Sequence, residues 1–218
     1  MSLAPFAGGR TIPIERYDAV QKRIRSAEQR DAQAIVDIYA PFVLESATSF
    51  EAAVPTVSEM EQRINAIGKR YPWLVFEGDG KVLGYAYASS HRERKAYQWC
   101  VEVSVYIHGD VRNRGLGRVL YSSLFEILRM QGYVNAYANV TLPNPASIRL
   151  HETMGFERIG VYSRIGFKLG KWHDVVWFQL RLSEPSTPVP EPIPIQEVLG
   201  NERIRAALHE WAQTVKVD

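Results

Sequence analysis

The segment RNRGLG, residues 112–117, most constrains how this chain can fold. It follows CVEVSVYI, an apolar run typical of a β-strand, and it precedes RVLYSSLFEILRM, in which apolar residues recur on one helical face. Glycine lets a backbone turn sharply and approach a ligand closely, because it has no side chain. The pattern therefore predicts a strand, a tight glycine-rich turn and a helix in direct succession.

The same junction predicts a binding site for an anion. The first amides of a helix lack intrahelical partners and lie at the positive end of the helix dipole, so they can bind phosphate groups. Arg112, Arg114 and Arg118 add positive charge there. The spacing R-x-x-G-x-G matches neither the P-loop nor the dinucleotide-binding fingerprint. A helix-starting turn with solvated arginines is the alternative interpretation.

The remaining strand patterns predict an α+β fold, with helices covering both faces of a sheet. Strand-like segments cover residues 22–27, 73–90, 97–107, 133–140 and 156–182. The second and the last of these are predicted to be hairpins, with turns at Gly78, Asp79 and Gly80 and around Gly170.

Helical periodicity predicts four helices, at residues 31–46, 58–70, 115–131 and 144–155. Pro41 is expected to bend or shorten the first. Ser58 and Glu61 have the spacing of a capping box at the start of the second. Asn144 is the predicted cap of the fourth and Gly155 its end.

The two ends of the chain differ in composition from its middle. Residues 1–20 form a predicted N-terminal arm, residues 21–182 the main domain, residues 183–195 a proline-rich linker or surface strap, and residues 196–218 a helical tail. The helical spacing of the tail is carried by Ile204, Leu208, Trp211 and Val215. We expect it to pack on the domain or on a second copy of the chain.

Charge and composition argue against several classes of protein. A formal net charge of +2 gives no indication of a nucleic-acid or membrane partner. The single cysteine, Cys100, excludes an internal disulfide, and its apolar strand favours a small buried residue over a nucleophile. We see neither a signal-peptide core nor a membrane-spanning run. No zinc-ligand spacing occurs. We therefore expect a cytoplasmic protein without a metal.

Several motifs in order resemble the GNAT superfamily of N-acetyltransferases and, within it, the phosphinothricin N-acetyltransferase branch. They are the R-x-x-G-x-G turn and the segments RYPWLV, GYAYA, AYQWCVEVSVYI, LPNPASIRLHETMGF and GFKLGKWHDV. The likeness runs from about residue 22 to residue 182. It implies a mostly antiparallel seven-strand sheet splayed between the strand ending at Ile107 and the strand at residues 133–140. It also implies acetyl-CoA as co-substrate, a small amine as acceptor, and a homodimer.

The resemblance also assigns a cofactor site. The pantetheine of acetyl-CoA would lie in the splay and bond to backbone groups of Val105, Tyr106 and Ile107. The pyrophosphate would lie on the glycine-rich turn. The residues implied there are Arg112, Asn113, Arg114, Gly115, Leu116, Gly117 and Arg118, with Asn144 at the start of the next helix.

Glu102 is the candidate general base. An α-ammonium group cannot attack a thioester until a proton is removed from it. Strand alternation places Glu102, Ser104 and Tyr106 on one face, and a carboxylate inside an apolar strand needs a function or a partner. The alternative is a structural ion pair with an arginine. The resemblance favours the catalytic role, because the branch carries its base in this W-x-x-E context.

His151 is the second catalytic candidate, and its role comes from the resemblance. It occupies the helix position from which members of the wider superfamily protonate the leaving thiolate, usually with a tyrosine. The alternative is a histidine that caps or packs the end of its helix. A backbone N–H near Val103 to Val105 is the expected oxyanion donor.

The acceptor site is less defined by the sequence. Arg92, Arg94 and Tyr97, in the basic loop HRERKAY, are candidates for binding the anionic groups of the acceptor, because guanidinium groups suit carboxylate and phosphinate. The alternative is a solvated loop. By resemblance Phe50 forms a wall of this site, and Tyr106 shares the strand face of Glu102. Further candidates, for this site or for the dimer contact, are Lys168, Trp172 and His173.

Two other functions fit the same motifs. One is acetylation of a protein N-terminus, a lysine or a polyamine, although the basic HRERK loop would repel a polyamine. The other is a non-catalytic sensor of acetyl-CoA or amino acids. Such a sensor would not need the base that Glu102 supplies.

Overall fold

The computed structural model describes residues 21–216, so the predicted N-terminal arm at residues 1–20 lies outside the described residues. The strands are β1 Lys22–Ser26, β2 Trp73–Gly78, β3 Lys81–Ser90, β4 Cys100–Ile107, β5 Asn135–Thr141, β6 Glu157–Lys168 and β7 Lys171–Arg181. The helices are α1 Ala32–Leu44, α2 Val57–Gly68, α3 Leu116–Gln131, α4 Pro145–Thr153, α5 Ile195–Leu199 and α6 Glu202–Gln213. Within the described part, no helix is both long enough and apolar enough to cross a membrane.

The seven strands form one sheet in the order β1-β2-β3-β4-β5-β7-β6. Neighbouring strands are antiparallel except for β4 and β5, which are parallel. The β2–β3 turn has Asp79 and Gly80 at φ 47° and 76°, the geometry of a two-residue hairpin. The β6–β7 turn has the same geometry, with Leu169 and Gly170 at φ 49° and 76°. The predicted fold class and both predicted hairpins are confirmed.

Helices cover both faces of the sheet, and β2 shows how the sequence separates them. Leu74 and Phe76 point into a core shared with α3, whereas Trp73 and Val75 point into a second core formed with α1 and α2. This alternation buries all six residues of β2. The sheet is therefore held from two sides, and β4 has helices on both of its faces.

The C-terminal helices α5 and α6 pack on the domain. Ile195, Val198, Ile204 and Leu208 are buried in the same core as α3. The apolar face of the tail is therefore buried within the chain itself. Packing on a second copy, the predicted alternative, is not needed to explain it.

The proline-rich segment before α5, residues 183–194, is attached to the domain as a strap. The indole N–H of Trp99 donates to the carbonyl oxygen of Pro190 at 2.7 Å. Gln131 and Ile193 exchange two hydrogen bonds, of 2.9 and 3.1 Å. The segment thereby connects the start of β4 to the end of α3.

Three local predictions needed correction or refinement. The capping box of α2 uses Thr56 and Glu59 rather than Ser58 and Glu61, so the helix begins at Val57. The strand predicted at residues 97–107 begins only at Cys100, because a 3-10 turn occupies Lys95–Tyr97.

The third prediction was that Pro41 would bend or shorten the first helix, and Pro41 does not end it. It lies inside α1, which continues to Leu44.

Candidate active site

The parallel pairing of β4 with β5 is short. Its register joins Cys100 to Asn135, Val101 to Ala136 and Glu102 to Tyr137. On its other edge, β4 stays paired with β3 as far as Ile107. The two parallel strands therefore separate after Glu102, which lies at the inner end of the gap. We call this gap the β4–β5 opening.

The glycine-rich turn lies at the end of β4 and starts α3. Asn113 and Gly115 have φ angles of 62° and 86°, in the left-handed region that favours glycine. Gly115 is the N-cap of α3 and has no side chain to occupy the first amides of the helix. Gly117 packs against Leu150 of α4, where an added Cβ would lie 3.2 Å from the leucine.

The predicted cofactor residues surround this turn. Arg112, Asn113, Arg114 and Arg118 are exposed, whereas the side chain of Leu116 is buried in the core, so only its backbone could contact a ligand. The guanidinium of Arg112 also lies over the ring of Phe42, 5.0 Å from its centroid. The arrangement offers amide donors and positive charge to an anion.

Asn144 is the N-cap of α4, as predicted, and its side-chain oxygen accepts a hydrogen bond of 3.1 Å from the amide of Ser147. Its remaining amide group is the part that a ligand could use.

Glu102 lies on the strand face that the alternation predicted. Val101 and Val103 point into the core with α3, and Tyr106 packs on the opposite face with Tyr39 and Phe42. The sequence left an arginine as the alternative partner of Glu102, but the partner in the structure is a histidine. The ring Nδ1 of His91 lies 3.0 Å from Glu102 Oε1. No motif or periodic pattern in the sequence pointed to His91.

His91 is held in an aromatic setting at the end of β3. Its ring stacks on Tyr137 with 4.5 Å between centroids and 20° between planes. Trp177 and Tyr97 approach edge-on, with centroids 6.1 and 6.2 Å away. Glu102, His91 and Tyr137 thus form one contact group at the inner end of the β4–β5 opening.

His151 is buried and belongs to the core on the α3 side. Its Nδ1 lies 2.8 Å from the carbonyl oxygen of Ser147 and its Nε2 lies 3.2 Å from the hydroxyl of Tyr121. The ring stacks on Phe178. Burial lowers the pKa of His151, so the imidazole is neutral at pH 7.

The catalytic candidates therefore occupy different settings, since β4 directs Glu102 away from the core that holds His151.

The candidate acceptor residues lie on two loops. Arg92, Arg94 and Tyr97 are exposed on the β3–β4 loop, residues 91–99. Phe50, on the α1–α2 loop, is 43% exposed and leans on Gly166 of β6, where an added Cβ would collide with its ring. The structure thus leaves all four accessible to a ligand.

Lys168 and His173 have structural contacts. Lys168 Nζ donates to the carbonyl oxygens of Val43 and Ser49, both at 2.6 Å, and so attaches the β6–β7 hairpin to the α1–α2 loop. His173 is buried, with its Nε2 3.0 Å from the carbonyl oxygen of Lys168. Trp172 is 59% exposed.

Two further observations concern reactive groups. Cys100 is half-buried, and burial raises the pKa of its thiol, which disfavours a nucleophilic thiolate. Among residues 21–216, no group of three or more histidine, cysteine, aspartate or glutamate side chains could hold a metal ion.

Comparison with known proteins gives a consistent picture. Residues 24–177 match a family model described as an acetyltransferase (GNAT) domain. Phosphinothricin N-acetyltransferase of Streptomyces viridochromogenes is 37% identical over 167 residues, which is 77% of this chain and 91% of the relative. L-methionine sulfoximine/L-methionine sulfone acetyltransferase of Salmonella typhimurium is 36% identical over 168 residues, 76% of this chain and 97% of the relative.

A solved structure extends the comparison to the fold. A GNAT superfamily phosphinothricin acetyltransferase from Sinorhizobium meliloti, crystallised in complex with acetyl-CoA, matches with a TM-score of 0.73 and 35% identity. The match covers 79% of this chain and 93% of the other. The likeness therefore includes a relative that binds acetyl-CoA.

Proposed function

This chain belongs to the GNAT acetyltransferase family and is an acetyl-CoA-dependent N-acetyltransferase, and we propose that its acceptor is a small amino acid of the phosphinothricin, methionine sulfoximine or methionine sulfone type. One observation carries this proposal. Glu102 lies on the last rung that joins β4 to β5, at the point where the strands separate towards the glycine-rich turn. A carboxylate in that place would face both a thioester in the opening and an incoming amine.

In this proposal the chain binds acetyl-CoA through the opening and the turn. The first amides of α3 and the arginines at residues 112, 114 and 118 hold the pyrophosphate, since both attract anions. Backbone groups of Val105, Tyr106 and Ile107 hold the pantetheine. Gly115 permits the turn, because its φ of 86° is strained for any residue with a side chain.

Glu102 removes a proton from the ammonium group of the acceptor, so that the neutral amine can attack the thioester carbonyl. A backbone N–H of β4 between Val103 and Val105 stabilises the oxyanion that forms. The leaving thiolate takes up a proton. The acceptor nitrogen loses a second proton as the amide forms, and this proton balances the one that the thiolate gains. His151, the candidate donor, is poorly placed to supply it, because the neutral ring turns its Nδ1–H to the carbonyl oxygen of Ser147 and its Nε2 to the Tyr121 hydroxyl.

The acceptor is proposed to lie between the two loops named above. Arg92 and Arg94 would bind its carboxylate or phosphinate, because a guanidinium group offers paired donors to such anions. Phe50, Tyr97 and Tyr106 would surround its carbon chain.

We propose that the chain forms a homodimer through β6. This strand is one of the two outer edges of the sheet, and an exposed edge readily pairs with another chain. Its exposed large apolar residues are Ile159, Val161, Tyr162, Ile165 and Phe167. A mass measurement by light scattering tests the proposal, and a monomer at all concentrations would contradict it.

An acceptor panel tests the proposed function. Purified protein is incubated with acetyl-CoA and with phosphinothricin, L-methionine sulfoximine, L-methionine sulfone, a polyamine or an unstructured peptide, and the release of free thiol is followed. We expect release with the small amino acids. In Glu102→Gln, turnover should fall about 100-fold or more while the Kd of acetyl-CoA stays near that of the wild type. Release of free thiol with the peptide alone would show that the acceptor is a protein and not a small amino acid.

A further inference from the structure

We propose that His91 is a positioning residue for Glu102: its imidazole holds the carboxylate in the orientation in which it removes a proton from the acceptor amine. The inference rests on the proposed function, because it assigns His91 a part in the reaction of the same site. It starts from the 3.0 Å contact between His91 Nδ1 and Glu102 Oε1. Ordinary packing would not require a histidine there.

The two side chains in this contact are partly buried, but they remain accessible from the proposed active site. The side chain of His91 is 15% exposed and that of Glu102 is 25% exposed. A hydrogen bond to a charged group is worth more in such a setting than on an open surface, because water competes less for it. The pair can therefore fix a side chain and still reach a ligand.

The imidazole itself has little freedom, because three elements other than its own pack around it. Tyr137 of β5 stacks on its face, and Trp177 of β7 and Tyr97 of the 3-10 turn contact it edge-on. A ring held in this way positions its Nδ1, and through it the carboxylate, at little entropic cost.

With Oε1 held by the imidazole, Oε2 is the oxygen that takes the proton from the amine. In the tautomer protonated on Nδ1, His91 donates to the carboxylate and keeps it in the ionised, accepting form. A freely rotating glutamate would spend part of its time turned away from the amine. Misplacement of a catalytic group by about 1 Å can reduce the rate about 100-fold.

The charge state of His91 also affects the site. The ionisable groups that face its ring are Glu102 from β4, Tyr137 from β5 and Tyr97 from the 3-10 turn, and Arg92 donates to its carbonyl oxygen at 3.4 Å. A protonated His91 would hold the carboxylate as an ion pair and make it a poorer base.

Two substitutions separate positioning from packing. His91→Phe keeps an aromatic ring that can stack on Tyr137, but it loses the hydrogen bond. His91→Asn keeps a neutral donor at the place of Nδ1, because the asparagine amide nitrogen overlaps that ring atom. Glu102→Gln reports on the base itself, and thermal melting of each variant reports on folding.

The kinetic test uses acetyl-CoA and L-methionine sulfoximine as substrates. For His91→Phe we expect kcat to fall about 10- to 100-fold with the KM of acetyl-CoA unchanged. His91→Asn should stay within about threefold of the wild-type kcat at pH 8. A wild-type kcat in His91→Phe, or equal losses in both variants, would overturn the proposal.

A second measurement needs no acceptor. The imidazole ¹⁵N spectrum should show His91 protonated on Nδ1 in the wild type, and the signal should change in Glu102→Gln. An unchanged signal would refute the positioning role. If the spectrum changes as expected but no amino acid of the panel is acetylated, the proposed acceptor is wrong while the His91–Glu102 pairing stands. If Glu102→Gln keeps full turnover, the base assignment is wrong.

Discussion

Trp99 and Pro190 are joined by a 2.7 Å hydrogen bond although 91 residues of chain separate them. Trp99 ends the β3–β4 loop, which carries the candidate acceptor residues, and Pro190 belongs to the strap. Lys95 of the same loop forms an ion pair of 3.0 Å with Glu191, the next residue of the strap. The strap lies beyond the residues that match the family model, yet it supports a loop of the proposed site.

Trp99→Phe should loosen this loop while keeping the aromatic packing. We expect a loss of about 1 kcal/mol in the free energy of unfolding and a rise of a few-fold in the KM of the acceptor, with kcat nearly unchanged. Lys95→Ala is the matched control, because its ion pair is largely exposed and so contributes little. Steady-state kinetics and thermal melting measure both variants, and equal effects would show that the indole bond has no special part.

Gly115→Ala should weaken acetyl-CoA binding. The residue has a φ of 86°, which costs a residue with a side chain about 1–2 kcal/mol, so the turn would relax away from its present shape. We expect the Kd of acetyl-CoA to rise about tenfold by calorimetry. Gly109→Ala is the control, because Gly109 has an ordinary φ and an added Cβ would meet no atom within 4 Å. The same Kd in both variants would argue against a role for the strained turn.

Gly166→Ala should affect the acceptor and not the cofactor. An added methyl group would push the ring of Phe50, which is exposed and can turn away without disturbing the core. We expect the KM of the acceptor to rise several-fold and the Tm to stay within about 2 °C, since 1 kcal/mol corresponds to about 2–4 °C at this size. Gly160→Ala on the same strand meets no atom within 4 Å and should change neither. An unaltered acceptor KM in Gly166→Ala would remove Phe50 from the site.

His151 should make stability depend on pH. Burial lowers its pKa, so in the unfolded chain it binds a proton at a higher pH than in the folded one. The free energy of unfolding is then highest above the ordinary histidine range and falls as the pH drops through about 6.5. His151→Phe should show a smaller loss of Tm between pH 7.5 and 5.5. A loss as large as in the wild type would mean that other groups cause it.

Local sequence signals predicted much of the fold, for physical reasons that act over a few residues. Asp79 and Gly80 tolerate positive φ and so fixed the β2–β3 turn, and Asn144 capped α4 as its side chain suggested. The cap of α2 was assigned wrongly because two overlapping S/T-x-x-E frames occur. The structure uses Thr56, which follows Pro55 directly, and Pro55 cannot be part of the helix interior.

The pairing of His91 with Glu102 could not be predicted in the same way. It depends on the conformation of a nine-residue loop containing a 3-10 turn, and no periodic pattern specifies such a loop. The residue types gave a partial signal, since a histidine directly after one strand can reach a carboxylate on its antiparallel neighbour. The contact of Trp99 with Pro190 likewise depends on how a distant segment packs.

The short β4–β5 register has a mechanical consequence. The strands β1 to β4 form one plate and β5 to β7 another, and the three rungs from Cys100 to Glu102 are the strand pairing that joins them. The core on the α3 side crosses this boundary, because Leu74 of β2 and Phe178 of β7 are buried in the same cluster. The width of the gap is therefore set by the packing of this shared core and not by strand pairing alone.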